Sequence, residues 1–158
     1  MKTILAPIDF SPVSDRVVAE AACLARALDG RVVLLNVTAP VIIAADYTAF
    51  IESIAEITDL TAKAAAKELA KIEDRLENEF THAESIQLTG AAVPAIIDQA
   101  TKLEADYIVI GSHGHTAFFD LLVGSTASGV LKRAPCPVVV VPAPRKTPAK
   151  PAKKKKKR

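Results

Sequence analysis

Residues 105–142, "ADYIVIGSHGHTAFFDLLVGSTASGVLKRAPCPVVVVP", decide the fold. Two short β-branched runs, "DYIVIG" and "CPVVVVP", flank a glycine-rich crossing and a helix-forming segment, "STASGVLKRA". Neither run alternates with polar residues, as expected of strands covered on both faces. A strand, a helix and a second strand in that order predict a parallel pair. Lys132 and Arg133 fall at the end of the helical segment, where cations meet the negative end of its dipole. Pro137 and Pro142 bracket the last run and place it at a sheet edge. Four successive valines on an edge invite pairing with a second copy, so Val138, Val139, Val140 and Val141 predict a homodimer.

Towards the N-terminus the alternation repeats. "KTILAPI" reads as a strand, and Val17, Ala21, Leu24, Ala25 and Leu28 recur at helical spacing behind it. Ser11 is the expected N-cap, Pro12 the first helical residue and Gly30 the stop. "RVVLLNV" is a doubly buried strand, and a long Ala-, Lys-, Glu- and Leu-rich helix follows from about Ile51 to Phe80. "VIIAADYTAF" between them fits no element. "ESIQLTG" and "VPAIIDQATKLEA" supply a third strand and a third helix beginning near Pro94. The whole is an α/β fold with a mainly parallel sheet and helices on both faces.

Composition narrows the function. At 158 residues with half of them apolar, the chain suits one globular domain. Its apolar runs fall far short of the ~20 residues that span a bilayer, and an early proline and aspartate argue against a cleavable signal. Cys23 and Cys136 are far apart with no CxxC, so they read as small buried hydrophobes in a reducing, cytoplasmic setting rather than a disulfide or zinc framework. The net charge of +2 hides a division: nine cations and no acid lie beyond Pro142, leaving 11 basic against 18 acidic residues before it, a net of −7. With Pro144, Pro148 and Pro151 and no large apolar residue, 143–158 reads as a disordered basic tail after a domain at 1–142.

Three of the six glycines, Gly111, Gly114 and Gly124, lie in the crossing after the fourth strand. In open α/β sheets, ligands bind outside the carboxyl ends of the strands where strand order reverses. Gly111 and Gly114 would admit a ligand close to backbone, and Gly124, Ser125 and Thr126 open a helix whose first amides suit an anion, phosphate above all. Glycines in turns are the plainer reading of the same residues. The pattern is neither Walker A nor GxGxxG.

From "ILAPIDFS" through "VVLLNV" to the 105–142 stretch, the chain resembles the universal stress proteins. Gly111, Gly114, Gly124 and Ser125 match the G-x2-G-x9-G-S/T spacing of that family's ATP-binding members. The resemblance implies a three-layer α/β/α fold with a five-stranded parallel sheet, Rossmann-like and similar to adenine-nucleotide hydrolases. It also implies a homodimer joined through the last strand and an adenine nucleotide, ATP or ADP with or without Mg²⁺, across the strand ends. Carried over, Pro7 and Ile8 would line the base pocket and Asp9 would meet the ribose or adenosine. Val37 would meet adenine through its backbone. Gly111 and Gly114 would flank ribose and phosphates, and Gly124, Ser125 and Thr126 would hold the phosphates. His113 and His115 stand where the family often has arginines, Thr116 and Ala117 replace its small Ser-Gly pair, and "GAAVPAII" lacks its usual acids. Asp9 before "FSP" also reads locally, as a turn-closing carboxylate.

Little in the sequence points to catalysis. His113, His115 and Asp120 make a thin metal set, better read as loop residues. "GSTAS" is no nucleophile elbow, and phosphoryl transfer normally needs positioned cations that the crossing lacks. Occupancy of the site, acting on an unknown protein partner in a stress response, is the expected signal; slow ATP hydrolysis or phosphate transfer is the alternative. "FFDLLV" reads as core or the floor of a dimer seam rather than a partner surface. The tail offers a further function, non-specific contact with nucleic acid, without aromatic residues for reading bases.

Overall fold

The structure is a computed structural model describing residues 1–40, 51–79, 81–114 and 123–143. Nine elements alternate among the described residues: β1 (Lys2–Pro7), α1 (Ser14–Ala27), β2 (Gly30–Thr38), α2 (Ile51–Asn78), β3 (His82–Thr89), α3 (Ala92–Lys102), β4 (Tyr107–Gly111), α4 (Ser125–Leu131) and β5 (Val138–Val141). The strands form one parallel five-stranded sheet in the order β3-β2-β1-β4-β5. The expected fold class holds, β5 is an edge strand, and the order reverses between β1 and β4.

Because strand side chains alternate, each central strand feeds two cores. Ile4, Ala6, Val32, Leu34 and Val109 face α1 and α2, where Val17, Ala21, Leu69 and Leu76 bury against them. Leu5, Val33, Leu35, Ile108 and Ile110 face α3 and α4, where Ile96, Ala100, Ala127 and Val130 cover them. This double burial is why the buried runs Ile4–Ala6, Val32–Leu35 and Ile108–Ile110 of β1, β2 and β4 carry no polar residue, and it builds the three layers.

The ends of α1 differ from expectation. The helix starts at Ser14 with Val13 as N-cap and no side-chain cap bond, because Ser11 to Ser14 closes a turn of its own, Ser14 N donating to Ser11 O at 2.9 Å. The left-handed residue after the helix is Asp29 (φ 49), not Gly30. Gly30 instead begins β2, where a Cβ would lie 2.6 Å from Lys2 O; it is small so that β1 and β2 can pair. Cys23 is exposed on the outer face of α1 rather than buried, and only Cys136 is partly covered. α4 ends at Leu131, with Lys132 as C-cap, earlier than the segment read from sequence.

At the amino end of the β1–β4 seam, Asp106 accepts from Lys2 Nζ at 2.7 Å and from Thr3 N at 2.8 Å. The same two contacts hold its carboxyl below the ordinary carboxylate value, the Lys2 hydrogen bond first and the Thr3 amide second. No helix among the described residues is long and apolar enough to cross a membrane. The tail residues 144–158 and the "FFDLLV" residues 118–122 lie outside the described residues.

Candidate functional site

At the carboxyl end of the sheet, where β1 and β4 part, lies a cavity of about 450 Å³. It is lined by all ten residues singled out from sequence: Pro7, Ile8, Asp9, Val37, Gly111, His113, Gly114, Gly124, Ser125 and Thr126. They arrive from four elements, because a parallel sheet brings every strand's carboxyl end and the following helix's N-terminus to one side. His115, Thr116, Ala117 and Asp120 lie outside the described residues, and the described residues hold no group of three His, Cys, Asp or Glu that suits a metal ion.

The turn after β1 is shaped by backbone as much as by side chains. Phe10 takes a left-handed conformation (φ 59), unusual for an aromatic residue, and reverses the chain beside Asp9. Asp9 Oδ1 accepts from Ser11 N at 3.0 Å and Ser14 Oγ at 3.3 Å. The local, turn-closing role of Asp9 is therefore present, and the same carboxylate also lines the cavity. Below it, Asn36 Nδ2 donates to Ile8 O at 3.0 Å and Ile8 N to Leu35 O at 2.9 Å, fixing the strand end.

The glycines are required by close approach. A Cβ on Gly111 would lie 2.5 Å from Val13 Cγ1, and one on Gly114 would run into Asp9 Oδ2. Gly124 is the N-cap of α4 in extended conformation. Its own amide donates to Ser112 O at 2.7 Å, and Ser128 N returns to Gly124 O at 2.9 Å. The amides of Ser125, Thr126 and Ala127 thus precede the helix's own ladder, on three residues that line the cavity.

Ser112 ties these parts together. Its amide donates to Val141 O at 2.7 Å, its carbonyl accepts from Gly124 N, and its Oγ sits 3.0 Å from His113 Nδ1 while accepting from Ala143 N at 3.1 Å. Sequence reading passed over Ser112, although it lies between two residues it chose. It also missed Val13 at the N-cap of α1, Ser14 and Val17 within it, and Ile96 of α3, which line the cavity. Helical spacing marked some of these as core, and only the sheet order shows which end of each helix meets the strand ends.

Chemically the cavity has an apolar side, including Ile8, Leu35, Val37 and Ile96, and a side of amides and hydroxyls around Gly124, Ser125 and Thr126. Among its described lining residues Asp9 is the one carboxylate, His113 the one imidazole, and there is no Lys or Arg. A flat apolar group fits the first side and an oxyanion the second.

Comparison with known proteins gives a consistent result. The family model described as "Universal stress protein family" matches residues 1–142. The chain is 31% identical over 150 residues to a universal stress protein of Methanocaldococcus jannaschii, covering 92% of this chain and 84% of that one. It is 32% identical over 143 residues to universal stress protein A homolog 1 of Coxiella burnetii, covering 89% and 95%. The solved structure of UspA from Lactobacillus plantarum is similar at a TM-score of 0.80 and 25% identity, covering 89% of this chain and 97% of that one. At 24% identity, and so by fold alone, two more structures are similar: a universal stress protein in complex with cAMP (TM-score 0.63, 90% and 98% covered) and one from Archaeoglobus fulgidus in complex with dAMP (0.61, 89% and 96%).

Proposed function

The chain belongs to the universal stress protein family, and from that premise we propose that it binds ATP or ADP, with or without Mg²⁺, as a cytoplasmic homodimer in a stress response. The observation that carries the reading is the lining of the cavity at the reversal of strand order: Gly111 and Gly114 have no room for a side chain, and the free end of α4 stands across from Asp9. The apolar side would take adenine, Asp9 the ribose hydroxyls, and the amides of 125–127 the phosphates. That two proteins of the same fold are described in complex with cAMP and dAMP supports an adenine ligand. The dimer reading rests on β5, whose hydrogen-bonded neighbour in the sheet is β4 on one side and whose Val138, Val139 and Val140 are only partly buried in the single chain.

Occupancy, rather than turnover, is the proposed signal. The described lining offers no cation and a single carboxylate with which to organise phosphoryl transfer. Calorimetric titration with ATP, ADP and AMP tests the reading: measurable heat with ATP or ADP is expected, and none at millimolar nucleotide refutes it. Hydrolysis in the ordinary enzymatic range of about 1–1000 per second, abolished by Ser125→Ala, would replace it with an enzyme. The nine clustered cations of the tail support a second role, salt-sensitive contact with nucleic acid. Retention on DNA at low salt that survives charge neutralisation of the tail would reject that role.

A further inference from the structure

The hydroxyl proton of Ser112 has one place to go. Ser112 is 6% exposed, and its Oγ accepts from Ala143 N at 3.1 Å while standing 3.0 Å from His113 Nδ1. A serine hydroxyl carries one proton and two lone pairs, and the Ala143 amide takes one of the pairs. If His113 Nδ1 donated into the other, the hydroxyl proton would be left without an acceptor, since among the described residues Ser112 Oγ has these two partners alone. A buried donor left unpaired costs free energy. The balanced arrangement has Ser112 Oγ donating to Nδ1, which puts the proton of the neutral imidazole on Nε2.

The pose of the ring gives that Nε2–H a direction. Nδ1 is turned to Ser112, and the opposite ring edge, where Cδ2 joins Nε2, lies against Gly124: a Cβ there would stand 3.8 Å from His113 Cδ2 and 3.6 Å from His113 Cα. His113 lines the cavity together with Gly124, Ser125 and Thr126, and the described lining includes no Lys or Arg. With its proton on Nε2 the ring can donate to an oxyanion; in the other tautomer Nε2 would present a lone pair and repel one. The backbone of Ser112 has a separate task, its amide donating to Val141 O and its carbonyl accepting from Gly124 N, both at 2.7 Å. Truncating the side chain leaves those two bonds available, so the part played by Oγ can be isolated.

We infer that Ser112 is a positioning residue of the site, its hydroxyl holding His113 as an Nε2–H donor towards the phosphates of the bound nucleotide. The inference rests on the nucleotide reading above, and it adds the tautomer through which His113 can receive an anion.

Two measurements on the full chain test it. At a pH above the ordinary imidazole range, ¹⁵N NMR of the unmodified protein should show His113, assigned by the signals lost in His113→Gln, with a pyridine-like Nδ1 and a pyrrole-like Nε2. Ser112→Ala should move the Nδ1 signal downfield as its donor is lost. Calorimetry supplies a double-mutant cycle. Ser112→Ala should weaken ATP binding about three- to tenfold and adenosine binding less than about twofold. In the His113→Gln background, where the amide nitrogen is a donor without help from Ser112, the same change should cost ATP less than about twofold; the bond to Ala143 is lost in both backgrounds and cancels. A ring protonated on Nδ1 in the unmodified chain, equal losses in the two backgrounds, or equal losses for ATP and adenosine overturn the inference and leave nucleotide binding standing. A ring protonated on Nε2 in a chain that binds no adenine nucleotide overturns the nucleotide reading, and with it the role assigned to the donor.

Discussion

Substituting alanine at Gly114 separates a ligand pocket from a mere turn. The new Cβ would overlap Asp9 Oδ2 and stand 3.4 Å from Asp9 Cγ and 4.0 Å from Asp9 Oδ1, the three nearest atoms among the described residues beyond its chain neighbours. Among the described residues Asp9 is the part that must move. Its carboxylate is held by Ser11 N and Ser14 Oγ, and a rotation large enough to clear the overlap turns it away from the cavity. If Asp9 accepts a hydrogen bond from the ribose, losing a charged bond of about 1.5–3 kcal/mol weakens nucleotide binding roughly 10- to 150-fold. Calorimetry with ATP on Gly114→Ala, Asp9→Ala and the double variant forms the cycle. Each single change should weaken binding, and Gly114→Ala should add almost nothing once Asp9 has been truncated. Additive losses in the double variant, or less than about a threefold loss from Gly114→Ala alone, would refute the reasoning.

Three further outcomes follow from the geometry. Gly111→Ala drives a Cβ into buried Val13 and should destabilise the fold by about 1–3 kcal/mol in urea denaturation, with partial recovery in the Val13→Ala background; an undiminished midpoint contradicts the packing described. Lys2 and Asp106 hold each other's charge: Asp106 lies below its ordinary 3.8 and Lys2 above its ordinary 10.5, each chiefly through their mutual hydrogen bond. The carboxylate's contribution is thus present above 3.8 and disappears as pH falls through its lowered folded value, while the ammonium's is present below 10.5 and disappears as pH rises through its raised one. Asp106→Asn should therefore reduce stability between these limits and converge on the unmodified chain at strongly acidic pH, as followed by denaturation across pH. Finally, burial pushes the Cys136 thiol up, so at pH 8 a thiol reagent should modify exposed Cys23 first, and equal rates by mass spectrometry would contradict the burial of Cys136.

How far the sequence disclosed the molecule depended on the kind of physics each element uses. Strands β1, β2 and β4 were legible because burial on both faces removes polar residues from Ile4 to Ala6, Val32 to Leu35 and Ile108 to Ile110. The carboxyl-end location of the site followed from topology, and all ten chosen residues reached one cavity. Helix ends were less legible. Ser11-Pro12 has the composition of a cap, but Asp9 takes the Ser11 amide and delays α1 to Ser14. Gly30 has the composition of a stop, but Asp29 supplies the left-handed residue and Gly30 answers to Lys2 across the sheet. Ser112 carried no compositional mark at all, since its role comes from bonds to Val141, Gly124 and Ala143 that only the folded chain assembles. The left-handed Phe10 was equally silent.

The weld between β1 and β4 is short. They share the register Ile4↔Tyr107 and Leu5↔Ile108, whereas β2 and β3 run together from Arg31↔His82 to Thr38↔Thr89. The cavity opens at the top of that short weld, with Asp9 on one bank and Gly111 to Gly114 on the other. A molecule lodged there would rivet the earlier part of the chain to the later part, and by mass action would deepen the native basin as its concentration rises. In a cell rich in that molecule the protein would resist proteases, and in a depleted one it would be cleared sooner, so its abundance would become a slow record of supply.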